Sequence, residues 1–369
     1  IIDAMLGTGI TSSVRDNFAK IINEINTSNK PVLSIDVPSG ISSDTGQPLG
    51  IAIQASKTIT FVGIKQGLTT TIGKQHCGEL IFDDLNIGPA FFELATSSGT
   101  LINIKSFKKL GARNLNSHKG THGKLLCVGG NEGTAGAIRL SSEAALRAGA
   151  GIVKVYTHSS SVVPVSIGRP ELMVTSTNLK EALEWASCVV IGPGLGLNEW
   201  AQKTFEEVIY YCQTNNMPLV IDADALNLLS KQASSYTLKQ CVLTPHPGEA
   251  SRLLSKTIVD VESNRFENAR LCAKRYNATC VLKGAGTLID NAENTWVCED
   301  GNAALAVGGS GDVLTGIIGA LLAQGLNIDE AARYGVTLHA KAGDIASVRE
   351  GERGMLPSDL FKIVRSLIN

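Results

Sequence analysis

Short, continuous apolar segments recur along the last two thirds of the sequence, and they constrain the fold more than any other feature. Examples are KLLCVGG, GIVKVYT, CVVIGP, PLVIDA, CVLTP and CVLKGAG, with helical segments between them. Apolar strands that alternate with helices are typical of a largely parallel sheet covered on both faces. Many of these strands end in glycine, proline, aspartate or histidine. Because ligands bind beyond the carboxyl ends of strands in open α/β sheets, we expect one site at that edge.

A shorter α/β pattern precedes this series. The segments IIDAML, residues 14 to about 26, PVLSIDVPSG and SKTITFVG predict a strand, a helix and two further strands. From about residue 81 to residue 116 the pattern weakens into turn-rich sequence, and we place the domain boundary near residue 100. The two predicted domains are therefore residues 1–100 and 101–369. The chain begins at Ile1, inside a predicted strand, and we interpret it as a fragment whose targeting signals cannot be assessed.

Composition narrows the classes of partner. The 369 residues are 43% hydrophobic, and 33 basic residues nearly balance 34 acidic ones without forming a basic stripe, so we expect no nucleic acid partner. Apolar runs such as GIIGALLAQGL are shorter than the roughly 20 residues of a membrane-spanning helix, so we expect no membrane partner. The eight cysteines show no C-x-x-C pair and fall largely in apolar runs, which predicts buried thiols in a reducing, cytoplasmic protein.

The segment GGSGDVLTGIIGALL, residues 308–322, combines three glycines and one acid with an apolar helix. Unpaired N–H groups and the dipole of a helix N-terminus favour anions, so the segment could hold phosphoryl oxygens. The alternative is a tight turn with Asp312 as a helix cap. The combination favours a functional site, in which Asp312 orients an attacking hydroxyl. We expect this setting to lower the pKa of Asp312, and a weak base can still serve phosphoryl transfer.

Two further strand ends carry candidate residues. In LKGAGTLID, residues 282–290, a nucleotide could lie against the glycine turn, or the segment could be an ordinary hairpin. In TPHPGEASRLL, His246 could contact a substrate, and Pro247 suits the first helical turn. Glu249 could assist a hydrated Mg²⁺ or could simply favour the helix dipole.

Glycines and acids at the other strand ends leave similar alternatives. In GPGLG, Gly194 and Gly196 could let a flat ligand approach closely or could be turn glycines. In DADALNLL, Asp222 or Asp224 could simply cap the following helix. His339 is assigned no role.

Taken together, GGNEGTAGAIRLSSEAALRAGAG, GPGLG, DADALNLL, TPHPGEASRLL, KGAGT and GNAALAVGGSGDVLTGIIGALLAQG resemble the NAD(P)H-hydrate dehydratase family from about residue 100 to the end. IIDAMLGTG and SIDVPSG are similar to the later part of the NAD(P)H-hydrate epimerase domain. The resemblance implies a ribokinase-like, three-layer α/β/α domain preceded by a partial Rossmann-like α/β domain. It also implies that a nucleotide phosphorylates the C6 hydroxyl of (S)-NAD(P)H hydrate and that elimination of phosphate restores NADH or NADPH. Bacterial members typically use ADP and eukaryotic members ATP.

The resemblance also implies roles for individual residues. Asp312 would contact the substrate and act as base, and Gly311 would lie at the nucleotide phosphate. The histidine of TPHPGE replaces an asparagine of related vitamin kinases, which leaves the Mg²⁺ role of Glu249 open. The other implied sites are nucleotide contacts at Lys283, Gly284, Ala285, Gly286 and Thr287; dehydratase substrate contacts at Ala137, Gly196 and His246; epimerase contacts at Gly7, Thr8, Gly9, Ile10, Thr11, Ser12, Ser13 and Asp36; and potassium ligands at Asp3 and Ser39.

The resemblance leads to expectations about epimerase activity and about partners, and it leaves rival functions open. An upstream asparagine-glycine-rich loop of the epimerase domain is absent from this sequence, so we expect no competent epimerase activity. We expect hydrated NADH or NADPH and ADP as small-molecule partners, and a homo-oligomer. The rival functions are a small-molecule kinase of the same fold that acts on a vitamin precursor, and a non-catalytic nucleotide-binding protein. Preference for ADP or ATP, and for NADH or NADPH hydrate, stays open.

Overall fold

The computed structural model describes residues 1–88, 93–232 and 238–369. The chain divides into two compact units, each with its own sheet. The first unit comprises Ile1–Thr100, Ser263–Phe266 and Gly284–Gly286, and the second comprises Leu101–Glu262, Glu267–Lys283 and Thr287–Asn369.

The first unit contains a four-stranded parallel sheet in the order β1-β2-β3-β4. Alternating apolar and polar residues place Thr58 and Thr60 of β3 on a buried face, while apolar side chains such as Ile22, Ile41 and Leu68 form two small cores. The predicted order of strand, helix, strand, strand is confirmed. The elements are β1 (Ile2–Asp3), α1 (Asp16–Thr27), β2 (Leu33–Ile35), β3 (Lys57–Phe61), α2 (Thr71–Cys77) and β4 (Glu79–Asp83).

The second sheet has ten strands in the order β5-β14-β13-β12-β11-β10-β9-β6-β7-β8. All pairings from β12 to β8 are parallel, whereas β13 pairs antiparallel with both β12 and β14. The largely parallel sheet predicted from the apolar segments is confirmed. The strands are β5 (Thr100–Ile102), β6 (Lys124–Val128), β7 (Ile152–Tyr156), β8 (Met173–Thr175), β9 (Cys188–Ile191), β10 (Leu219–Ile221), β11 (Cys241–Leu243), β12 (Thr279–Leu282), β13 (Leu288–Asp290) and β14 (Thr295–Cys298).

Helices connect and cover these strands. The helices of this part of the chain are α3 (Ala135–Arg147), α4 (Val162–Ser166), α5 (Leu179–Trp185), α6 (Glu199–Thr214), α7 (Ala223–Lys231), α8 (Pro247–Leu254), α9 (Ile258–Ser263), α10 (Arg265–Tyr276), α11 (Ser310–Ala323), α12 (Ile328–Glu350) and α13 (Leu360–Ile368). Single 3₁₀ turns occur at Gln66–Leu68, Ile104–Ser106, Lys119–His122, Ser159–Ser161, Ala303–Leu305 and Pro357–Asp359.

Helix α11 is the central helix of the larger core. All residues from 313 to 323 are buried, as expected for a helix that is apolar on nearly every side. Its glycines allow close approach: a Cβ atom at Gly316 would overlap the backbone carbonyl of Ser141 in α3, and one at Gly319 would overlap the side chain of Val190 in β9. Tight packing on both sides therefore fixes the position of Asp312 in its first turn.

The cysteines are packing residues. All eight cysteine side chains are buried and none is in a disulfide bond, and burial raises the pKa of Cys127 and of Cys212 to about 12, so these two thiols stay protonated. Within the described residues, no helix has both the length and the apolar character that crossing a bilayer requires.

Gly316→Ala should destabilise the protein, because the added methyl group meets backbone that cannot move away cheaply. We expect a loss of about 1–3 kcal/mol in the free energy of unfolding, although alanine is the better helix former. Gly136→Ala in α3 is the matched control, since a Cβ atom there meets nothing within 4 Å. Denaturant titration of both variants tests this, and equal stability of the two would contradict the close helix approach.

Candidate active site at the carboxyl ends of the strands

Loops that follow five parallel strands carry the candidate residues of the second unit. They come after β6, β9, β10, β11 and β12, which are neighbours in the sheet, so their carboxyl ends share one edge. The second turn of α11 meets the same edge, because Thr315 Oγ1 donates a hydrogen bond of 2.7 Å to Asp222 Oδ2 at the end of β10. The structure therefore brings the predicted strand-end residues together.

A buried ion pair forms the centre of this edge. Lys283, the first residue after β12, places Nζ 2.8 Å from Asp222 Oδ1 and 3.7 Å from Glu249 Oε2. Asp222 is 1% exposed, and its second oxygen accepts the bond from Thr315. Although Asp222 precedes α7, its side chain makes no capping bond. Both of its oxygens are instead committed to holding Lys283 and α11.

The charge on Lys283 is retained in this setting. Burial alone would lower the pKa of its ammonium group, but the negative charges of Asp222, Glu249 and Asp312 outweigh burial and raise that pKa overall. Lys283 is therefore a fixed positive charge among three carboxyl groups.

Asp312 lies in the first turn of α11, as the sequence predicted, and Gly309 at the N-cap has φ of +90°. A Cβ atom at Gly311 would lie 3.2 Å from Lys283 Nζ and 3.9 Å from Asp222 Oδ2. Glycine at this position therefore leaves the helix backbone open beside the ion pair. Ser310 N already donates to Val307 O at 3.3 Å, so the first-turn N–H groups open to an anion are those of Gly311 and Asp312.

The expected lowering of the pKa of Asp312 is wrong. Burial raises this pKa to about 7, and the negative charge of Asp222 adds to the effect, while Lys283 opposes it. Asp224 and Glu249 raise it further. The sequence reveals the helix N-terminus, which favours the charged form, but not the loss of hydration or the three acids that disfavour it. Asp312 can therefore exchange a proton near neutral pH.

His339 has a structural contact near this helix start. It is buried, and its Nε2 lies 3.1 Å from Ser310 Oγ in the first turn of α11. Burial lowers the pKa of His339 to about 4, so the imidazole is neutral. The sequence assigned this residue no role, and the structure shows it supporting the residue next to Gly311.

His246 caps helix α8. Its Nδ1 accepts bonds from Gly248 N at 3.0 Å and Glu249 N at 3.4 Å, while Glu249 Oε2 accepts from His246 N at 2.8 Å, and Pro247 occupies the first helical position as predicted. Because Nδ1 accepts, the neutral ring carries its proton on Nε2, which lies 3.4 Å from Glu249 Oε1. Burial and then the charge of Lys283 lower the pKa of His246, which maintains this form.

A second group of residues surrounds Gly196, which follows β9 and has φ of +75°. Gly196 N donates to Asp224 Oδ2 at 2.8 Å, and a Cβ atom at Gly196 would lie 2.7 Å from Asn131 Nδ2. Thr134 Oγ1, just before α3, donates to Gly194 O at 2.7 Å. Ala137 is partly buried in the first turn of α3. Asp224 thus orients the glycine loop.

Residues 283–287 form the turn between β12 and β13, which pair antiparallel. The hairpin that the sequence left open is therefore present. Gly284 has φ of +150° and Gly286 has φ of +67°, conformations that side chains rarely adopt. Gly284 and Ala285 are exposed, whereas Gly286 is buried and its carbonyl oxygen accepts from Thr70 Oγ1 at 3.2 Å. Lys283 N donates to Pro245 O at 2.9 Å.

In the first unit, Asp3 is 1% exposed and fully bonded within the protein. Its Oδ2 accepts from Ser34 Oγ at 2.8 Å and Ser39 N at 2.9 Å, and its Oδ1 accepts from Ser39 Oγ at 2.5 Å. The sequence-predicted pair of Asp3 and Ser39 is therefore in direct contact. Among the described residues, no group of three or more histidine, cysteine, aspartate or glutamate side chains is arranged to hold a metal ion.

Asp36 has φ of +69° and forms an ion pair with Lys65. Its Oδ1 also accepts from Thr60 Oγ1 at 3.1 Å and Phe61 N at 3.2 Å. Residues 7–13 form an exposed loop, apart from partly buried Ile10, before α1. A Cβ atom at Gly7 or Gly9 would meet nothing within 4 Å, so this loop leaves space beside its backbone.

Sequence reasoning missed several partners of the predicted residues. Asp222 was read as a possible helix cap, and Thr315, Ser310 and Lys65 were not singled out. Asp222 carried a usable signal, because an acid that directly follows a buried strand must lie at the same edge as Lys283. The pairing of Asp222 with Lys283, however, depends on the order of the strands in the sheet, which cannot be read from the sequence.

The fold and the arrangement at the strand ends define a ribokinase-like α/β protein. A ribokinase-like superfamily protein from Enterococcus faecalis is 29% identical and covers 74% of this chain and 96% of its own, with a TM-score of 0.67. The crystal structure of the ADP/ATP-dependent NAD(P)H-hydrate dehydratase from Bacillus subtilis, co-crystallised with ATP and Mg²⁺, is 28% identical, with a TM-score of 0.63. It covers 72% of this chain and 94% of its own.

Sequence comparison gives the particular family. The NAD(P)H-hydrate dehydratase family model matches residues 125–366, and the model of the YjeF-related protein N-terminus matches residues 1–67. The bifunctional NAD(P)H-hydrate repair enzymes Nnr of Escherichia coli and Coxiella burnetii are each 43% identical over the whole of this chain, which covers 71% and 76% of their lengths. The chain belongs to the NAD(P)H-hydrate repair enzyme family.

Asp312→Asn should stabilise the fold, and more so at pH 8 than at pH 5. The pKa of Asp312 is about 7 in the folded protein and near 4 in the unfolded chain, so ionisation costs the native state stability progressively from about pH 4 to pH 7. Asparagine removes this cost. We expect the stabilising effect of the substitution to grow by on the order of 2 kcal/mol between pH 5 and pH 8, after discounting for partial exposure.

Denaturant titrations of the protein without nucleotide or metal measure this effect. Asp16→Asn is the matched control, since Asp16 also lies in the first turn of a helix but is exposed. A pH-independent difference between wild type and Asp312→Asn would contradict the raised pKa.

Proposed function

We propose that this chain catalyses the nucleotide-dependent dehydration of (S)-NAD(P)H hydrate, with ADP as phosphoryl donor, ADP becoming AMP and phosphate. One observation carries the proposal: the carboxyl group of Asp312, with a pKa of about 7, lies at an open glycine helix start beside the fixed charge of Lys283. Membership of the repair enzyme family and the structural similarity to the Bacillus dehydratase support it.

The proposed chemistry has two steps. In the first step, the oxygen of the C6 ring hydroxyl forms a bond to the terminal phosphorus of ADP, and Asp312 accepts the proton of that hydroxyl. The bond between the terminal phosphorus and the oxygen of the AMP leaving group breaks. Elimination then breaks the C6–O bond, releases phosphate and removes a proton from C5, which restores the dihydropyridine. A base with a pKa near the working pH is well matched to the first proton transfer. The ammonium of Lys283 and the N–H groups at the start of α11 stabilise the migrating negative charge.

The remaining residues take positioning roles in this proposal. Residues 283–287 border the nucleotide, and Gly311 approaches its phosphates without a side chain. The hydrated cofactor contacts Ala137, Gly196, His246 and Asp312. His246 is suited to this because its side chain is half exposed and its ring is fixed by the cap of α8. The orientation imposed on both reactants supplies much of the rate enhancement.

Magnesium enters the proposal as the counter-ion of the nucleotide. Mg²⁺ neutralises phosphate charge and commonly keeps several water ligands. Glu249 can contact such a hydrated ion, but its oxygens already face His246 and the ammonium of Lys283. These contacts favour interaction through water over direct ligation.

For residues 1–100 we propose the substrate and cation contacts of an NAD(P)H-hydrate epimerase domain. Residues 1–100 are assigned to this domain and residues 101–369 to the dehydratase domain. Residues 7–13 and Asp36 contact the hydrated cofactor, and Lys65 holds the Asp36 carboxylate in place. Asp3 and Ser39 supply oxygen ligands for potassium, because hard cations favour oxygen ligands. We further propose a homo-oligomeric, cytoplasmic protein.

Recovery of the reduced nicotinamide absorbance tests the dehydratase proposal. Purified protein should restore this absorbance from hydrated NADH when ADP and Mg²⁺ are supplied, with ATP assayed in parallel. Asp312→Asn should lower kcat by at least about a hundredfold while the Kd for nucleotide changes little. The wild-type rate should rise with pH through about 7, because only the ionised carboxylate can accept the proton. No recovery with either nucleotide would refute the proposal.

Asp222→Asn should shift this pH dependence to lower pH. The substitution removes the charge that, after burial, contributes most to raising the pKa of Asp312, and asparagine can still accept the bond from Thr315. Loss of its ion-pair partner loosens Lys283, so we also expect kcat to fall about tenfold or more. Asp300→Asn is the control, as Asp300 pairs with Lys341 instead. An unchanged pH profile would show that Asp222 does not set the proton affinity of Asp312.

A further inference from the structure

A large cavity lies at the opposite edge of the larger sheet. It has a volume of about 1390 Å³, and His122 and Ala150, which line it, precede the amino ends of β6 and β7. Gln324, just after α11, and Arg147, at the end of α3, also line it. Since Asp312 and Ala137 lie near the starts of the same two helices, the cavity is separated from the candidate active site by the length of α3 and α11.

Basic side chains dominate the lining of this cavity. Arg113 comes from the chain before β6, Arg147 from α3, Arg169 from the segment before β8, and Lys362 and Arg365 from α13. Only two acidic side chains, Glu143 and Glu171, are found among the lining residues that the structure describes. The whole chain has 33 basic and 34 acidic residues, so this concentration of positive charge is local.

Internal ion pairs do not account for these charges. Arg169 bonds Glu143 and lies 3.9 Å from Glu171, which uses both acids. Arg113 donates to the backbone oxygen of Gly149 at 2.6 Å. Within the described part of the chain, Arg147, Lys362 and Arg365 have no carboxylate within ion-pair distance. Of the five cations, only Arg169 is therefore paired with acidic side chains in the described part of the chain.

Two other groups on the cavity wall bear on a ligand: one senses the positive charge, and the other is an unpartnered donor. The pKa of His122 on the cavity wall is lowered by loss of hydration and by the positive charges of Arg113 and His118. Arg169 Nε is buried and has no hydrogen-bond partner among the described residues. Arginine near the end of a helix can stabilise the helix dipole, which would explain Arg147 or Arg365 singly. It does not explain why cations from four separate segments converge on one concave surface.

We propose that this cavity is a second ligand site, which binds a polyphosphate anion. Guanidinium groups match phosphate oxygens in paired geometry, and several charges on a chain of phosphates can be met by cations that are spread along a wall. The volume exceeds the roughly 300–1,000 Å³ of ordinary small-molecule pockets, so a ligand as long as a nucleoside triphosphate or a short inorganic polyphosphate fits. Both sources share the phosphate chain that the cations recognise.

Titration with inorganic tripolyphosphate, followed calorimetrically at low ionic strength, tests this site. The double variant Lys362→Gln, Arg365→Gln removes two exposed cavity cations and should weaken binding tenfold or more. The matched control is Lys239→Gln, Lys274→Gln, which removes two exposed lysines outside the cavity and should change the Kd less than twofold. Binding should also weaken with added salt. Circular dichroism and the Tm of each double variant show that both remain folded.

Parallel measurements distinguish binding in this cavity from binding at the candidate active site and from contact between copies of the chain. Lys283→Gln perturbs the candidate active site, and tripolyphosphate binding that depends on Lys283 but not on the cavity cations would overturn the proposal. A change in oligomeric state in the cavity variant, seen by sedimentation velocity without a change in tripolyphosphate affinity, would identify the cavity as a contact between copies and also overturn it. The same titrations with ATP distinguish the sources: tighter cavity-dependent binding than tripolyphosphate indicates a nucleotide, and equal binding indicates the phosphate chain alone.

Discussion

The ion pair between Asp222 and Lys283 is the interaction on which the arrangement of the candidate active site depends. A buried carboxylate without a partner would be costly, and here its two oxygens are met by an ammonium group and a hydroxyl. Through these two bonds Asp222 ties the end of β10 to the end of β12 and to the first turns of α11. The distances between the groups that we assign to substrate and nucleotide follow from these ties.

The packing of α11 makes the electrostatic arrangement possible. Gly316 and Gly319 allow the helix backbone to approach α3 and β9 more closely than any side chain would permit. Because the helix cannot shift, the carboxyl group of Asp312 stays in a partly dehydrated position among other acids, even though this lowers the stability of the native state above neutral pH. Such a loss of stability is usual where a site must hold charged groups in fixed positions before its ligands bind.

Much of the fold could be predicted from the sequence, because continuous apolar strands and the apolar helix after Asp312 leave few alternatives. The edge that carries the site was predictable for the same reason, since parallel strands end together. The strand order was not, and so the pairing of Asp222 with Lys283 stayed hidden behind a helix-cap interpretation. The pKa of Asp312 was mispredicted because local sequence shows a helix dipole but not the density of buried acids around it. The hairpin at residues 283–287 and the contact between Asp3 and Ser39 are found where the sequence placed them, but their geometry does not identify a ligand.

His246 combines a helix-capping role with a half-exposed ring. An asparagine at a helix N-cap would accept the same backbone bonds, and histidine does so through Nδ1 while its Nε2 lies 3.4 Å from Glu249 Oε1. The bonds at Nδ1 fix the tautomer, and burial, followed by the nearby charge of Lys283, lowers the pKa of the ring. The lowered pKa of His246 favours the neutral ring, in which Nε2–H can donate a hydrogen bond. In the proposed reaction, Asp312 is the group that exchanges a proton near neutral pH, while a raised pKa keeps Lys283 charged and a lowered pKa favours the neutral ring of His246.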